Sequence, residues 1–269
     1  MTEIFIAENL GFCSGVDKAV KLAFMNPNSN TLGPLIHNNG VIDKLKQINV
    51  VAIDDLDKAT SNKLILRAHG VTKQAYEKAK LKGFEIIDAT CPKVREVYDI
   101  IENFDSRGYL VAIIGNKDHP EIIGLASRVD GALIVNSIEE VKKLKKHDKI
   151  CVVSQTTNSK EKFDLISDKL KEKCNKIEIF NTICDATRRR QDSVKNVAKK
   201  VDFMIVIGGK HSANTKQLFN ICSKYCNSVH IEEADELTDF SKYNKIGITA
   251  GASTPDWIIN EVIEKIKCL

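Results

Sequence analysis

The sequence predicts an α/β fold of three pseudo-symmetric units, each a small, mostly parallel sheet flanked by helices, arranged around a common centre. Three observations predict it. The same order of elements recurs three times along 269 residues, short apolar runs alternate with amphipathic helical runs, and one cysteine opens each repeat at an equivalent place. Strands alternating with helices favour parallel sheets covered on both faces. The near-continuous apolar character of the strands is what such burial requires.

The elements follow one another in a fixed order. A strand-like run leads to each cysteine: residues 4–7 to Cys13, 84–87 to Cys91 and 177–180 to Cys184. A helical stretch follows each, over 17–24, 93–104 and 188–200. Next comes a strand ending in glycine with a polar residue four places on: Gly33 and His37, Gly115 and His119, Gly208 and Ser212. A second strand covers 50–53, 132–135 and 228–231, and an acidic stretch follows it each time. A third strand opens on lysine (63–66, 149–153, 245–248) and runs into a small polar loop: Ala68-His69-Gly70, Gln155-Thr156-Thr157 and 250–254. A final helix, over 73–82, 160–173 and 256–267, closes each unit. The units are therefore placed at 1–90, 91–183 and 184–269. Helix starts are expected after Thr72, His119, Thr215 and Thr254, where a side-chain acceptor precedes a helical run.

Composition narrows the function. Apolar residues make up 43% and charged residues 28%, as in a soluble globular protein. The net charge is +4, with the basic residues scattered and not interleaved with aromatics, which argues against nucleic acid as a partner. The longest clean apolar run, 109–114, is too short to span a bilayer, and the first residues carry no secretory pattern, so a cytoplasmic protein without a membrane partner is expected. Eight cysteines in such a setting point to metal-binding or catalytic thiols and not to disulfides.

In parallel α/β sheets, ligands bind beyond the carboxyl ends of the strands, where all the polar loops of the repeat fall. Three thiols at equivalent loops suggest an iron–sulfur cluster with one iron left open. A structural zinc site is the nearest rival, but no C-x-x-C pair accompanies Cys13, Cys91 or Cys184. Cys151, Cys174 and Cys268 have no equivalents in the repeat and are read as packing residues, as are Cys222 and Cys226 on a helical stretch. Of six histidines, His37, His69 and His119 occupy strand-end loops and suit a shared anion. His147 reads as surface and His230 as structural, while His211 sits beside the repeat position with its role open. Helix N-termini with hydroxyl and amide donors at Ser212, Asn214, Ser253 and Thr156 suit a diphosphate held without a Walker-type loop. Glu121, early in a helix and in the same unit as Thr156, is either a dipole-complementing residue or a general acid.

Several motifs, in order and over nearly the whole chain, resemble the 4-hydroxy-3-methylbut-2-enyl diphosphate reductases of the non-mevalonate isoprenoid pathway. They include Gly11-Phe12-Cys13-Ser14-Gly15-Val16, Pro34-Leu35-Ile36-His37-Asn38, Arg67-Ala68-His69-Gly70-Val71, Asp88-Ala89-Thr90-Cys91-Pro92 and His119-Pro120-Glu121. Ser154-Gln155-Thr156-Thr157, Thr182-Ile183-Cys184-Asp185-Ala186-Thr187-Arg188-Arg189-Arg190-Gln191 and Thr249-Ala250-Gly251-Ala252-Ser253-Thr254-Pro255 complete the set. The resemblance implies an open-site [4Fe–4S] cluster on Cys13, Cys91 and Cys184, and a diphosphate grip of His37, His69, His119, Ser212, Asn214 and Ser253. It assigns Glu121 to proton delivery and Thr156 to the substrate hydroxyl or its proton network. The implied reaction is a two-electron, two-proton reductive dehydroxylation that yields isopentenyl and dimethylallyl diphosphate, with a donor such as ferredoxin or flavodoxin. Where many relatives read Ser-Ser-Asn, this chain reads Ser212-Ala213-Asn214, so the backbone N–H of Ala213 is left to serve as donor. Rival readings are quinolinate synthase, an iron–sulfur sensor and a plain three-domain binding protein.

Overall fold

A computed structural model describes residues 2–237, 239–240 and 242–268. The strands are β1 (Glu3–Ile6), β2 (Ser29–Leu32), β3 (Val50–Ile53), β4 (Lys63–Leu66), β5 (Glu85–Asp88), β6 (Leu110–Ile114), β7 (Leu133–Val135), β8 (His147–Ser154), β9 (Cys174–Ile179), β10 (Phe203–Ile207), β11 (Asn227–Ile231) and β12 (Lys245–Ala250). The helices are α1 (Ser14–Phe24), α2 (Asn39–Lys46), α3 (Lys73–Leu81), α4 (Pro92–Ser106), α5 (Pro120–Ala126), α6 (Ile138–Lys142), α7 (Lys160–Lys171), α8 (Asp185–Ala198), α9 (Ala213–Cys222) and α10 (Asp256–Lys267). The fold is α/β, with three four-stranded sheets ordered β3-β2-β4-β5, β7-β6-β8-β9 and β11-β10-β12-β1. All the paired strands are parallel.

The three sheets share one internal plan. A central strand carries the next strand on one flank, and the following two lie on the other. The sheet of the last residues takes its fourth strand from the start of the chain, with Glu3 opposite Lys245 and Ile6 opposite Ile248. By density of internal contacts the chain forms two compact units. The first is Met1–Lys18, Ile36–Gln47 and Asp185–Leu269, and the second is Ala19–Leu35 and Ile48–Cys184.

Period-two alternation divides each central strand between two layers of helix. In β6, Val111 and Ile113 face Val97, Ile101, Ile122 and Leu125 of α4 and α5. Ala112 and Ile114 face Phe163, Ile166 and Leu170 of α7 and Val141 of α6. In β10 of the first unit, Ile205 and Ile207 face Ile258, Ile259 and Val262 of α10, while Met204 and Val206 face α8 and α9. Short polar side chains start the helices. Asn38, Thr72, Ser137, Ser159 and Ser212 each accept a first-turn backbone N–H, satisfying a donor that has no partner inside the helix.

Several expectations need correction. Ser212, not Thr215, caps α9, so the helix starts three residues earlier and Thr215 lies buried in its first turn. Thr254 does not cap α10; Pro255 stands at that place, and Thr254 instead donates its hydroxyl to the Ile207 carbonyl at 3.0 Å. His147 is not a plain surface residue, because β8 begins there and pairs it with Cys174. Cys268 is exposed and caps the end of α10, so it packs against no core. Among the described residues, no helix is long and apolar enough to cross a membrane.

Removing the fully buried side chain of Ile113 in β6 deletes apolar area and leaves a cavity between the sheet and the layer of α4 and α5. Ile113→Ala is expected to cost about 2–5 kcal/mol, against less than about 0.5 kcal/mol for Leu165→Ala on exposed α7 surface. Denaturant unfolding compares the two, and equal losses contradict the layer assignment.

Candidate active site

Each cysteine of the repeat follows the edge strand of a sheet and precedes a helix. At Cys91 and Cys184 the backbone N–H keeps the offset of the parallel ladder beyond the strands, whereas at Cys13, seven residues after Ile6, the offset has shifted by two residues. Cys13 N–H donates to Ala252 O at 3.4 Å, Cys91 N–H to Ala68 O at 3.0 Å, and Cys184 N–H to Thr156 O at 3.0 Å. Each acceptor lies in the loop after the neighbouring third strand. Each loop carries a residue singled out from sequence: Ser253, His69 and Thr156. Cys91 and Cys184 are thus fastened to the loop of the repeat before them, and Cys13 to a loop of the last repeat.

In the first unit, the ends of β10 and β12 supply donors. Ser212 Oγ accepts the N–H of Thr215 at 3.3 Å, which leaves its own hydroxyl hydrogen to a further acceptor. Ala213 is the first residue of α9, where a backbone N–H has no partner within the helix. Asn214 is 4% exposed, yet neither atom of its buried amide has a hydrogen-bond partner among the described residues. A buried amide left so exposed to desolvation calls for an explanation, and a bound group at the helix start supplies one. Ser253 Oγ donates to the His37 carbonyl at 3.3 Å, so these two residues meet. Arg190 donates to Gly11 O at 2.6 Å and holds the loop that ends at Cys13. His211 is exposed. His230, within β11, bonds the Gly208 carbonyl at 2.7 Å through Nε2 and supports the start of the same loop.

In the second unit, α5 and the loop after β8 bring Glu121 and Thr156 together. Thr156 donates to the Glu121 carboxylate twice, from its N–H at 2.6 Å and its Oγ1 at 2.8 Å. Glu121 is 1% exposed, and burial pushes its carboxyl up from the ordinary 4.5 to about 7, against the opposing pull of both Thr156 donors. His119 caps α5 by accepting the Glu121 N–H on Nδ1 at 3.1 Å. The neutral ring therefore carries its proton on Nε2. The rings of His69 and His119 meet edge-on, with centroids 5.6 Å apart. Glu121, Thr156 and Cys184 thus form one connected chain, and His69, His119 and Cys91 lie on the adjoining loops of the same unit.

The thiols divide into two groups. Burial pushes Cys151 and Cys222 up to about 12, and it raises Cys174 and Cys226 as well, so these stay protonated at neutral pH. Cys13, Cys91 and Cys184 are only half-buried, stand at the N-terminal ends of α1, α4 and α8, and are in no disulfide. This soft donor set fits an iron–sulfur cluster.

Sequence reasoning quoted Gln155, Thr182 and Arg190 in motifs but gave them no task. Gln155 accepts the Asn116 N–H at 3.3 Å and donates to Thr157 Oγ1 at 3.0 Å, bridging the loops after β6 and β8. Thr182 both accepts from Ser154 N at 2.8 Å and donates to Ser154 O at 2.7 Å, two residues before Cys184. No period or spacing signals such clamps. Only the polar character of residues flanking an apolar run hints at them.

A family model described as LytB protein matches residues 4–267. The chain belongs to the LytB family. Among LytB relatives, the 4-hydroxy-3-methylbut-2-enyl diphosphate reductase of Caldanaerobacter subterraneus subsp. tengcongensis is 47% identical over 99% of this chain and 97% of its own length. The enzyme of the same name from Campylobacter lari is 47% identical over 98% of both chains. A solved structure of (E)-4-hydroxy-3-methyl-but-2-enyl diphosphate reductase is 38% identical, with a TM-score of 0.73 and full coverage of both chains. The E-1-hydroxy-2-methyl-but-2-enyl-4-diphosphate reductase of Plasmodium falciparum is 31% identical, with a TM-score of 0.93 over all of this chain and 88% of that one.

The Glu121–Thr156 contact yields a titration test. Because folding raises the carboxyl's pKa, its contribution to stability is full below about 4.5 and is lost as pH rises through about 7. Thr156→Val deletes one donor to the ionised form, so the Glu121 midpoint is expected to move above its wild-type position near 7. Carbon-13 NMR of the carboxyl reads both midpoints. A wild-type midpoint near 4.5, or no upward movement in the variant, contradicts the burial argument.

Proposed function

We propose that the chain reductively removes the allylic hydroxyl of (E)-4-hydroxy-3-methylbut-2-enyl diphosphate, giving isopentenyl and dimethylallyl diphosphate. The C–O bond breaks, a C–H bond forms, and the oxygen leaves as water, consuming two electrons and two protons. The electrons come from a one-electron carrier of the ferredoxin or flavodoxin class. The supporting relatives carry this enzyme's name, and the observation that carries the chemistry is the buried Glu121 bonded to Thr156, whose carbonyl holds Cys184.

Cys13, Cys91 and Cys184 would hold a [4Fe–4S] cluster with one open iron, one ligand from each of the repeats 1–90, 91–183 and 184–269. When bound, the cluster supplies a Lewis-acidic iron and electrons in single steps. The remaining roles belong to side chains and backbone. His37, His69, His119, Ser212, Asn214, Ser253 and the N–H of Ala213 grip the diphosphate, and His119 does so through the Nε2–H that its capping bond fixes. Binding energy won there orients the distant hydroxyl. With its midpoint near 7, Glu121 carries a proton in a large fraction of molecules at neutral pH. Once protonated, the carboxyl donates to Thr156 Oγ1, which turns the threonine's hydrogen towards the departing oxygen. That relay makes water, not hydroxide, the leaving group.

The deciding experiment is anaerobic reduction of the substrate by iron-loaded protein with a chemical reductant. Formation of both products is expected, and their absence from fully loaded protein removes the reading. Cys184→Ser is expected to lose cluster absorbance and iron, and full iron content would remove its ligand role. Asn214→Ala is expected to weaken inorganic diphosphate binding about tenfold, equal to about 1.4 kcal/mol. An unchanged calorimetric dissociation constant would take Asn214 out of the grip.

A further inference from the structure

Tyr98 stands outside every role assigned so far. It lies on α4, the helix that Cys91 opens, and its ring is buried at 8% exposure. Its hydroxyl reaches the seam between two elements of the second unit that carry histidines. On one side is Gly70, the residue after His69, at φ +79°, and a Cβ there would collide with the hydroxyl. On the other is Gly124 of α5, where a Cβ would lie 3.2 Å from the hydroxyl and 3.4 Å from the Val71 carbonyl. The absence of side chains at both positions lets the phenol oxygen fit between them.

The same seam is clamped from outside. The Arg128 guanidinium lies 3.7 Å from the centre of the Tyr98 ring and donates to the Val71 carbonyl at 3.1 Å. Ser127 Oγ accepts the Lys73 N–H at 3.0 Å and donates to the Gly124 carbonyl at 2.7 Å. The carboxyl end of α5 is therefore drawn onto the segment that follows His69, while its amino end holds His119 and Glu121. The clamp pulls the two elements together, and the phenol oxygen stops their approach. Burial also holds the phenol's pKa above its ordinary value, so the spacer stays uncharged.

We propose that Tyr98 is a positioning residue whose hydroxyl sets the separation between the His69 loop and α5, and with it the spacing of the His69 and His119 rings. A rigid stop suits this task, because a diphosphate is recognised by donors at fixed separation and a displacement of a few tenths of an ångström weakens several bonds together. The effect on binding rests on the proposed function, but the effect on ring spacing does not.

A rescue experiment tests it on the iron-loaded protein. Gly124→Ala places a methyl against the hydroxyl, and the dissociation constant for inorganic diphosphate, read by calorimetry, is expected to rise roughly five- to tenfold. Tyr98→Phe alone removes the stop and is expected to weaken binding roughly threefold. In the double variant the methyl takes the place of the oxygen, so binding is expected to return to within about twofold of wild type. Crystal structures of the same proteins should show ring centroids moved from 5.6 Å in each single variant and restored in the double. A double variant no better than Gly124→Ala, or single variants with unmoved rings, overturns the proposal. Should the wild-type protein not bind diphosphate, the diphosphate reading fails while ring spacing still decides the spacer. If Gly124→Ala does not fold, Tyr98→Phe alone decides, and unmoved rings with unchanged binding sink the idea.

Discussion

The backbone bond from each repeat cysteine to the neighbouring loop is the constraint on which the chemistry depends. Parallel pairing fixes its register for two of the three: β5 beside β4 and β9 beside β8 leave the N–H of Cys91 and Cys184 opposite a carbonyl past the strand ends, while Cys13 reaches Ala252 through a longer loop after β1. A shift of one residue would turn the edge strand's side chains to the other face and would unseat the cysteine. The apolar pattern of the strands therefore determines where the thiols stand. Hydrophobic burial, a non-directional force, is converted into the placement of a cysteine whose backbone is bonded to a loop that carries His69, Thr156 or Ser253.

The second constraint is electrostatic. Two hydrogen bonds from Thr156 favour the Glu121 anion, and burial opposes them. Burial prevails, with no cation among the described residues to compensate the charge, but the donors keep the midpoint near neutrality. Without the donors the midpoint would stand higher still. In open water it would hold no proton at pH 7. A carboxyl with its midpoint near 7 can both take and give a proton at neutral pH.

Much of this was legible in the sequence. Strands β3 and β4 and helix α10 fall where apolar runs and periodicity place them, because the ends of β3, most of β4 and one stripe of the helix are buried. The three cysteines and the strand-end histidines were visible as positions of a repeat. Less legible was anything decided by competition between neighbouring polar residues. Ser212 outcompeted Thr215 for the start of α9 because its extended backbone brings Oγ to the Thr215 N–H. Thr254 gave its hydroxyl to a strand carbonyl and left Pro255 at the start of α10. The pairing of β1 with β12, and the fit of the Tyr98 hydroxyl between two glycines, involve partners that no local pattern links.

That pairing of β1 with β12 has a consequence for biogenesis. A ribosome delivers Glu3 almost a whole chain before Lys245, its partner in the sheet. The two sheets of the second unit can close on residues already synthesised, as local contacts permit. The edge strand that leads to Cys13 must wait, with its backbone donors and acceptors unsatisfied, until the last sheet emerges. Cys13 is thus seated after Cys91 and Cys184, and synthesis of β12 times when all three thiols are in their folded settings.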